Sequence, residues 1–231
     1  MTRLSIIVPV LDEAGTIEAC LEALQAMRAA GVEVVVVDGA SRDGTRALAA
    51  PLADRVIDAT RGRAAQMNAG ARASGGDILL FLHADTVLPP DAFDVLHAGL
   101  ERSGREWGRF DVAIASERPI LALVALLMNA RSRATGIATG DQAIFVRRAA
   151  FESVGGFPEI PLMEDVAISK ALKRRSAPLC LRERAVTSGR RWERRGTLRT
   201  IVLMWRLRLA YALGADPHRL ARRYEVKRTS S

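Results

Sequence analysis

Three short, unbroken apolar runs constrain this chain more than any other feature: Ile6-Ile7-Val8-Pro9-Val10, then Val34-Val35-Val36-Val37 closed by Asp38, then Ile78-Leu79-Leu80-Phe81-Leu82 followed by His83-Ala84-Asp85. A strand with one wet face alternates apolar and polar residues, whereas a strand buried on both faces reads as a continuous run. Runs of this kind belong to a parallel sheet covered by helices on both sides. Between the first two, Ile17, Cys20, Leu21, Leu24 and Met27 recur at helical spacing, so the opening is a βαβ unit. The same reading predicts a short strand at Val56-Ile57, a small-residue helix from Ala64 to Ala73, and a helix from Asp91 to Leu100 behind Pro89-Pro90. Two more strands are expected, from Arg109 to Ser116 and from Gly140 to Val146. The fold class is α/β.

In open sheets of this kind ligands bind outside the carboxyl ends of the strands. Asp38 and Asp85 stand at those ends and are expected to face one pocket. Glu164-Asp165 opens a later helical pattern running from Val166 to Arg174. Each acid has a plainer reading, since Asp caps helices and starts turns and acids stabilise helix starts. The context argues for more: Asp38-Gly39-Ala40-Ser41-Arg42-Asp43-Gly44-Thr45 is a polar turn leading straight into a helix, and Gly62-Arg63 begins another.

Taken in order, Ser5 to Glu13, Val37 to Thr45, Gly62-Arg63 through Gly75-Gly76-Asp77, His83-Ala84-Asp85, and Gly155-Gly156-Phe157 with Glu164-Asp165 resemble the inverting family 2 glycosyltransferases of GT-A fold. The resemblance implies a GT-A nucleotide-diphospho-sugar transferase fold, Rossmann-like, with a mostly parallel central sheet and flanking helices. It implies a catalytic domain over residues 1–188 and a basic, helical C-terminal extension over 189–231. Asp38 would accept a hydrogen bond from the donor base; Pro9, Leu11 and Glu13 would border base and ribose; and Arg63 would meet the diphosphate. Asp85 ends the family's Asp-x-Asp motif and is the expected metal ligand for Mg²⁺ or Mn²⁺, cations that prefer oxygen donors. His83 replaces the first acid, which removes one negative charge and makes the ring a ligand or an orienting group. Asp165, with Glu164 beside it, is the expected general base, and direct attack by the acceptor hydroxyl would invert the anomeric centre. Asp141 and Gln142 are assigned to acceptor hydroxyls. Ser188-Gly189-Arg190-Arg191-Trp192 is similar to a late basic-aromatic motif, which gives Arg191 and Trp192 a place over diphosphate or acceptor. A UDP-sugar is the expected donor.

Charge is divided unevenly. Residues 1–181 hold 20 Lys/Arg against 22 Asp/Glu, a net of −2, while residues 182–231 hold 14 against 4, a net of +10. The excess at the C-terminal end points to an anionic partner such as a membrane surface or a lipid-linked or acidic acceptor. Nucleic acid fits poorly, because the tail has no zinc-finger spacing and few aromatics for stacking. Ile120 to Met128 is nine apolar residues, too short to span a bilayer and expected to form a buried or partly exposed helix. Leu198 to Leu213 places Arg199 and Arg206 on one side and Ile201, Trp205 and Leu209 near another; Arg208 spoils the division. Met1-Thr2-Arg3 runs directly into the first strand, so no secretory leader is expected, and Cys20 and Cys180 read as small side chains in a reducing cytoplasm.

Two rival functions follow from the same residues. A nucleotide-sugar-binding or regulatory protein with a degenerate site would account for His83, but Asp38, Asp85 and Asp165 together favour an enzyme. A nucleotidyltransferase would need a Gly-rich, basic N-terminal loop, which this chain lacks.

Overall fold

The computed structural model describes residues 2–190, 192 and 196–229. β1 (Leu4–Val10) is buried at every position but Pro9, as its unbroken apolar run requires. It lies at the centre of the N-terminal half and pairs in parallel with β2 (Glu33–Asp38) and β4 (Ile78–Phe81), while β2 pairs in parallel with β3 (Arg55–Asp58). The crossovers are helical: α1 (Ile17–Glu22) and α2 (Gln25–Ala29), then α3 (Thr45–Ala49), then α4 (Arg63–Ala73). Gly70 allows α4 to lie close on the sheet. A Cβ there would stand 2.4 Å from Ile7 Cγ2 and 2.9 Å from Val37 Cγ2.

After β4 the chain changes character. β5 (Thr86–Val87), α5 (Ala92–Ser103), β6 (Trp107–Ala115) and α6 (Pro119–Thr135) lead to a 3₁₀ turn at Gly140–Gln142, followed by β7 (Ile144–Arg147), α7 (Arg148–Ser153), α8 (Glu164–Lys173) and β8 (Leu179–Ser188). β7 runs antiparallel to both β4 and β6, β8 is parallel to β6, and β5 is antiparallel to β8. The eight strands form one sheet in the order β3-β2-β1-β4-β7-β6-β8-β5. The N-terminal half of the sheet is thus parallel and the C-terminal half mixed, the architecture that the resemblance to GT-A enzymes implies. The strand expected from Gly140 begins only at Ile144, because Gly140–Gln142 turns and Ala143 adopts φ 46°.

Each face of the sheet carries its own apolar core. One gathers Ile6, Val8, Leu80 and Phe110 with Ile17, Leu21, Leu96 and Leu100; the other gathers Ile7, Val37 and Phe81 with Met67, Trp107 and Ile168. A third, smaller cluster joins Met163 and Val166 to Leu207 of α9 (Thr197–Ala212) and Leu220 of α10 (Pro217–Thr229). The C-terminal helices thus pack against the segment carrying Glu164-Asp165. Among the described residues no helix is long and apolar enough to cross a membrane. α6 does leave Leu123, Leu126 and Leu127 exposed, and α9 leaves Val202, Trp205 and Leu209 exposed, with Leu213 exposed just beyond its end.

Candidate functional site

The loops after β1 and β2 are tied together by side chains of the polar turn. Ser41 donates to Asp38 from both its N–H and its hydroxyl, and its oxygen accepts the Asp12 N–H at 3.0 Å. Asp12 Oδ1 accepts the Arg42 N–H at 2.8 Å. Buried Thr45 accepts the Glu13 N–H at 2.8 Å and donates to Asp43, whose other oxygen accepts the Ala14 N–H at 2.9 Å. The Thr45 hydroxyl and the Ala14 N–H hold the Asp43 carboxyl below its ordinary range. Beneath them the carboxamide of Gln66 on α4 donates to the carbonyls of Val10 at 2.7 Å and Val37 at 2.8 Å, joining the ends of both strands. Asp38 is buried, and Pro9, Leu11 and Glu13 are half-buried on the adjoining rim.

Asp85 and Glu13 face the same corner. Burial first, then the charges of these two carboxylates, push the Cys20 thiol up to about 12. The Asp85 carbonyl accepts the Ser188 N–H at 3.0 Å, and the Gly189 N–H donates to the Ala115 carbonyl at 3.1 Å. The segment entering the basic-aromatic motif therefore lies beside Asp85. Arg190 is exposed there and Trp192 half-buried; Arg191 lies outside the described residues.

His83 and Asp141, assigned separately to metal and acceptor, are one pair: His83 Nδ1 lies 3.3 Å from Asp141 Oδ1. The opposite edge of the ring faces Gly140, where an added Cβ would stand 2.4 Å from both Cε1 and Nε2. Asp141 takes Nδ1 and the ring packs on Gly140, an arrangement that suits the orienting role, the second of the two expected for His83. Among the described residues no three metal-binding side chains converge. Asp85 alone fits a cation that draws its remaining ligands from diphosphate and water, the usual habit of Mg²⁺.

The assignment of Gln142 to acceptor hydroxyls is corrected. It is fully buried; its Oε1 accepts the Thr139 N–H at 3.1 Å and its Nε2 donates to Asn129 at 3.2 Å, so it shapes the turn and is closed to substrate. Asn129 carries the network onward by exchanging hydrogen bonds with the Val112 backbone at 2.8 and 2.9 Å.

Glu164 and Asp165 face different neighbours although they are adjacent in sequence. Asp165 accepts the Val166 N–H at 2.7 Å and the Gly140 N–H at 3.1 Å. Its charge also reaches Arg131 and Tyr211. Glu164 is 7% exposed, and burial, followed by the Asp165 charge, raises its carboxyl above the ordinary range; Arg63 and His83 pull the other way. This places Arg63, itself exposed, toward the carboxylate pair. Arg131, Arg208 and Tyr211 are the participants that sequence reasoning did not single out. Arg208 had left one signal, as the residue that broke the amphipathic pattern of its helix.

Among the described residues four non-glycine positions adopt positive φ: Asp12 at 54°, Ala40 at 69°, Ala143 at 46° and Met163 at 71°. Each lies within two residues of a candidate site residue. Backbone held this way costs about 1–3 kcal/mol and collects where surrounding structure must aim a functional group.

The family model described as Glycosyl transferase family 2 matches residues 5–150. A PGL/p-HBAD biosynthesis glycosyltransferase of Mycobacterium tuberculosis is 40% identical over 91 residues, 36% of each chain. Glycosyltransferase AglE of Haloferax volcanii is 37% identical over 90 residues, 35% of this chain and 30% of that protein. The match thus spans about a third of the length of these curated relatives. Mannosyltransferase PcManGT from Pyrobaculum calidifontis, solved with GDP-Man and Mn²⁺, superposes with a TM-score of 0.60 at 27% identity, over 80% of this chain and 56% of its own.

Proposed function

The chain belongs to glycosyl transferase family 2, and from that premise we propose that it transfers a sugar from a nucleoside-diphosphate donor to an acceptor hydroxyl with inversion. The observation that carries the proposal is the hydrogen bond from the Gly140 N–H to Asp165 at 3.1 Å. It anchors the proposed base to the same turn that meets His83, two residues from Asp85.

Asp38, held by Ser41 on one side, keeps acceptor capacity for the donor base, with Pro9, Leu11 and Glu13 along the ribose. UDP is our expected nucleotide; the GDP-Man bound to PcManGT makes GDP the competitor to test. Arg63 and Arg190 bring positive charge to the diphosphate. A divalent cation held by Asp85 would offset charge on the departing nucleotide. On the acceptor side Asp165 takes the hydroxyl proton. Glu164 lies beside it in a buried setting, where burial and then the Asp165 charge raise its carboxyl above the ordinary range. His83 and Asp141 orient the turn between donor and acceptor.

We further propose that the protein works on the cytoplasmic side and docks peripherally on the inner face of a membrane. The exposed apolar residues of α6 and α9 support this, as does the net charge of +10 over residues 182–231. The testing experiment is a panel of UDP- and GDP-sugars offered with Mn²⁺ or with EDTA, read first as nucleotide binding and then as transfer. Metal-dependent binding of one nucleotide, abolished in Asp85→Ala, is expected. A protein that binds donor but transfers to no acceptor class would be a binding protein instead.

A further inference from the structure

Three guanidinium nitrogens, on Arg131 near Asp165 and on Arg208 of α9, lack partners. Arg131 Nε and Nη2 and Arg208 Nε are shielded from solvent without a hydrogen bond; among the described residues the only other such atom is the Thr197 hydroxyl, near the far end of α9. A third arginine shows that burial alone does not bring this about. Arg109 is fully buried on β6, yet it donates to Ser132 at 3.1 Å, to the Asn129 carbonyl at 3.3 Å and to Asp111. Arg109 is structural and complete. A buried charged donor left unmade is disfavoured, and native proteins keep one where function uses it.

Arg131 and Arg208 come from helices far apart in sequence, α6 and α9; Leu207, next to Arg208, packs on Met163 and Val166, which flank Glu164-Asp165, and the Arg208 charge acts on Arg131 against the pull of Asp165. Two like charges brought together with open donors ask for an anion with several oxygens; the planar guanidinium fork suits phosphate. The flanking surface narrows the source. Leu127 stands one helical turn before Arg131, and Trp205 one turn before Arg208, so residues 53% and 68% exposed lead along the two helices to the guanidiniums. An apolar approach ending in paired cations matches the phosphate head and hydrocarbon chain of an amphiphile.

We infer that Arg131 and Arg208 form an acceptor-side subsite for the phosphate of an amphiphilic acceptor, whose hydrocarbon chain lies along the exposed faces of α6 and α9. The inference rests on Asp165 as the site of acceptor activation, and it explains why Arg208 interrupts an otherwise amphipathic helix.

The test uses the full chain saturated with Mn²⁺ and whichever of UDP or GDP it binds, so that the donor site is occupied. Dodecyl phosphate below its micelle concentration, dodecanol and inorganic phosphate are titrated by tryptophan fluorescence and calorimetry. Dodecyl phosphate is expected to bind at least tenfold more tightly than either control. Arg131→Met and Arg208→Met should each weaken it about tenfold, the energetic range of a charged hydrogen bond, while nucleotide affinity stays at the wild-type value. Without ligand, Arg131→Met should melt at or above the wild-type temperature, because it removes an unpartnered charge. Arg131→Lys keeps the charge but not the fork and serves if the Met variants fold poorly; it should bind dodecyl phosphate more weakly than wild type. Equal affinity for dodecyl and inorganic phosphate would overturn the amphiphile, and undiminished binding in the Arg131 and Arg208 variants would overturn the subsite. Failure of both nucleotides to bind wild-type protein would count against the donor reading alone, since the phosphate titrations can then be read without nucleotide.

Discussion

The proposed donor half and the proposed acceptor half of the crevice are built in opposite ways. On the donor side Ser41, Thr45, Asp43 and Gln66 join two strand ends and their loops with hydrogen bonds whose partners are all within the protein. On the acceptor side a buried carboxyl sits above its ordinary range, two arginines keep open donors, and the wall is completed by helices from the C-terminal end. A finished network holds one geometry before any ligand arrives. An unfinished one has polar groups that only a ligand can complete, so binding there carries more of the specificity.

The sharpest break in this contrast is expected from Asp165→Asn. It should lower transfer by about 10² to 10⁴, the usual contribution of a general base, while donor binding is kept; transfer at the wild-type rate would remove Asp165 from that role. Next in size is Leu207→Ala, which opens a cavity in the small cluster behind Met163 and Val166. A cost of roughly 2–5 kcal/mol in urea unfolding is expected for a buried leucine, along with reduced transfer and unchanged nucleotide affinity. If nucleotide affinity fell in parallel, the two halves would not be separable in the way described. On the donor side Thr45→Val keeps the shape and deletes the hydroxyl. It strands the Glu13 N–H, so about 1–3 kcal/mol of stability should be lost, with weaker nucleotide binding; calorimetry showing wild-type affinity would mean that the network does not shape the donor site.

The smallest effect concerns pH. Glu164 holds its proton more tightly when folded than its ordinary value of about 4.5, through burial and then the Asp165 charge. The folded state therefore binds more protons than the unfolded state over that interval, and stability falls as pH rises from 4.5 through the folded value. Glu164→Gln should flatten that part of the curve of unfolding free energy against pH, measured without metal. Identical slopes for the two proteins would show that the carboxyl is not held protonated.

Much of the parallel half of the fold was legible because its signals are local. Unbroken apolar runs marked β1, β2 and β4, and the acids at their ends fell at the crevice because parallel strands bring their carboxyl ends to one edge. The acceptor side was read less well. Gly140 to Val146 looked like one strand, yet Thr139 and Gln142 form a capping box that turns the chain before Ile144. Gln142 looked like a substrate contact and is closed inside that turn, and the pairing of His83 with Asp141, 58 residues apart, had no signal in the sequence.

The sequence by itself determined the parallel core, its helical crossovers, the carboxylates at the strand ends and the position of the excess positive charge, since each follows from residues adjacent in the chain. Only the tertiary structure decided which polar groups are complete. Arg109 and Arg131 are indistinguishable in sequence, but one finds Asp111, Ser132 and Asn129 around it and the other meets Arg208 from a helix more than sixty residues away. Hydrogen-bond completion depends on neighbours brought together by packing, and a linear pattern of apolar and polar residues carries no record of which donor will find an acceptor.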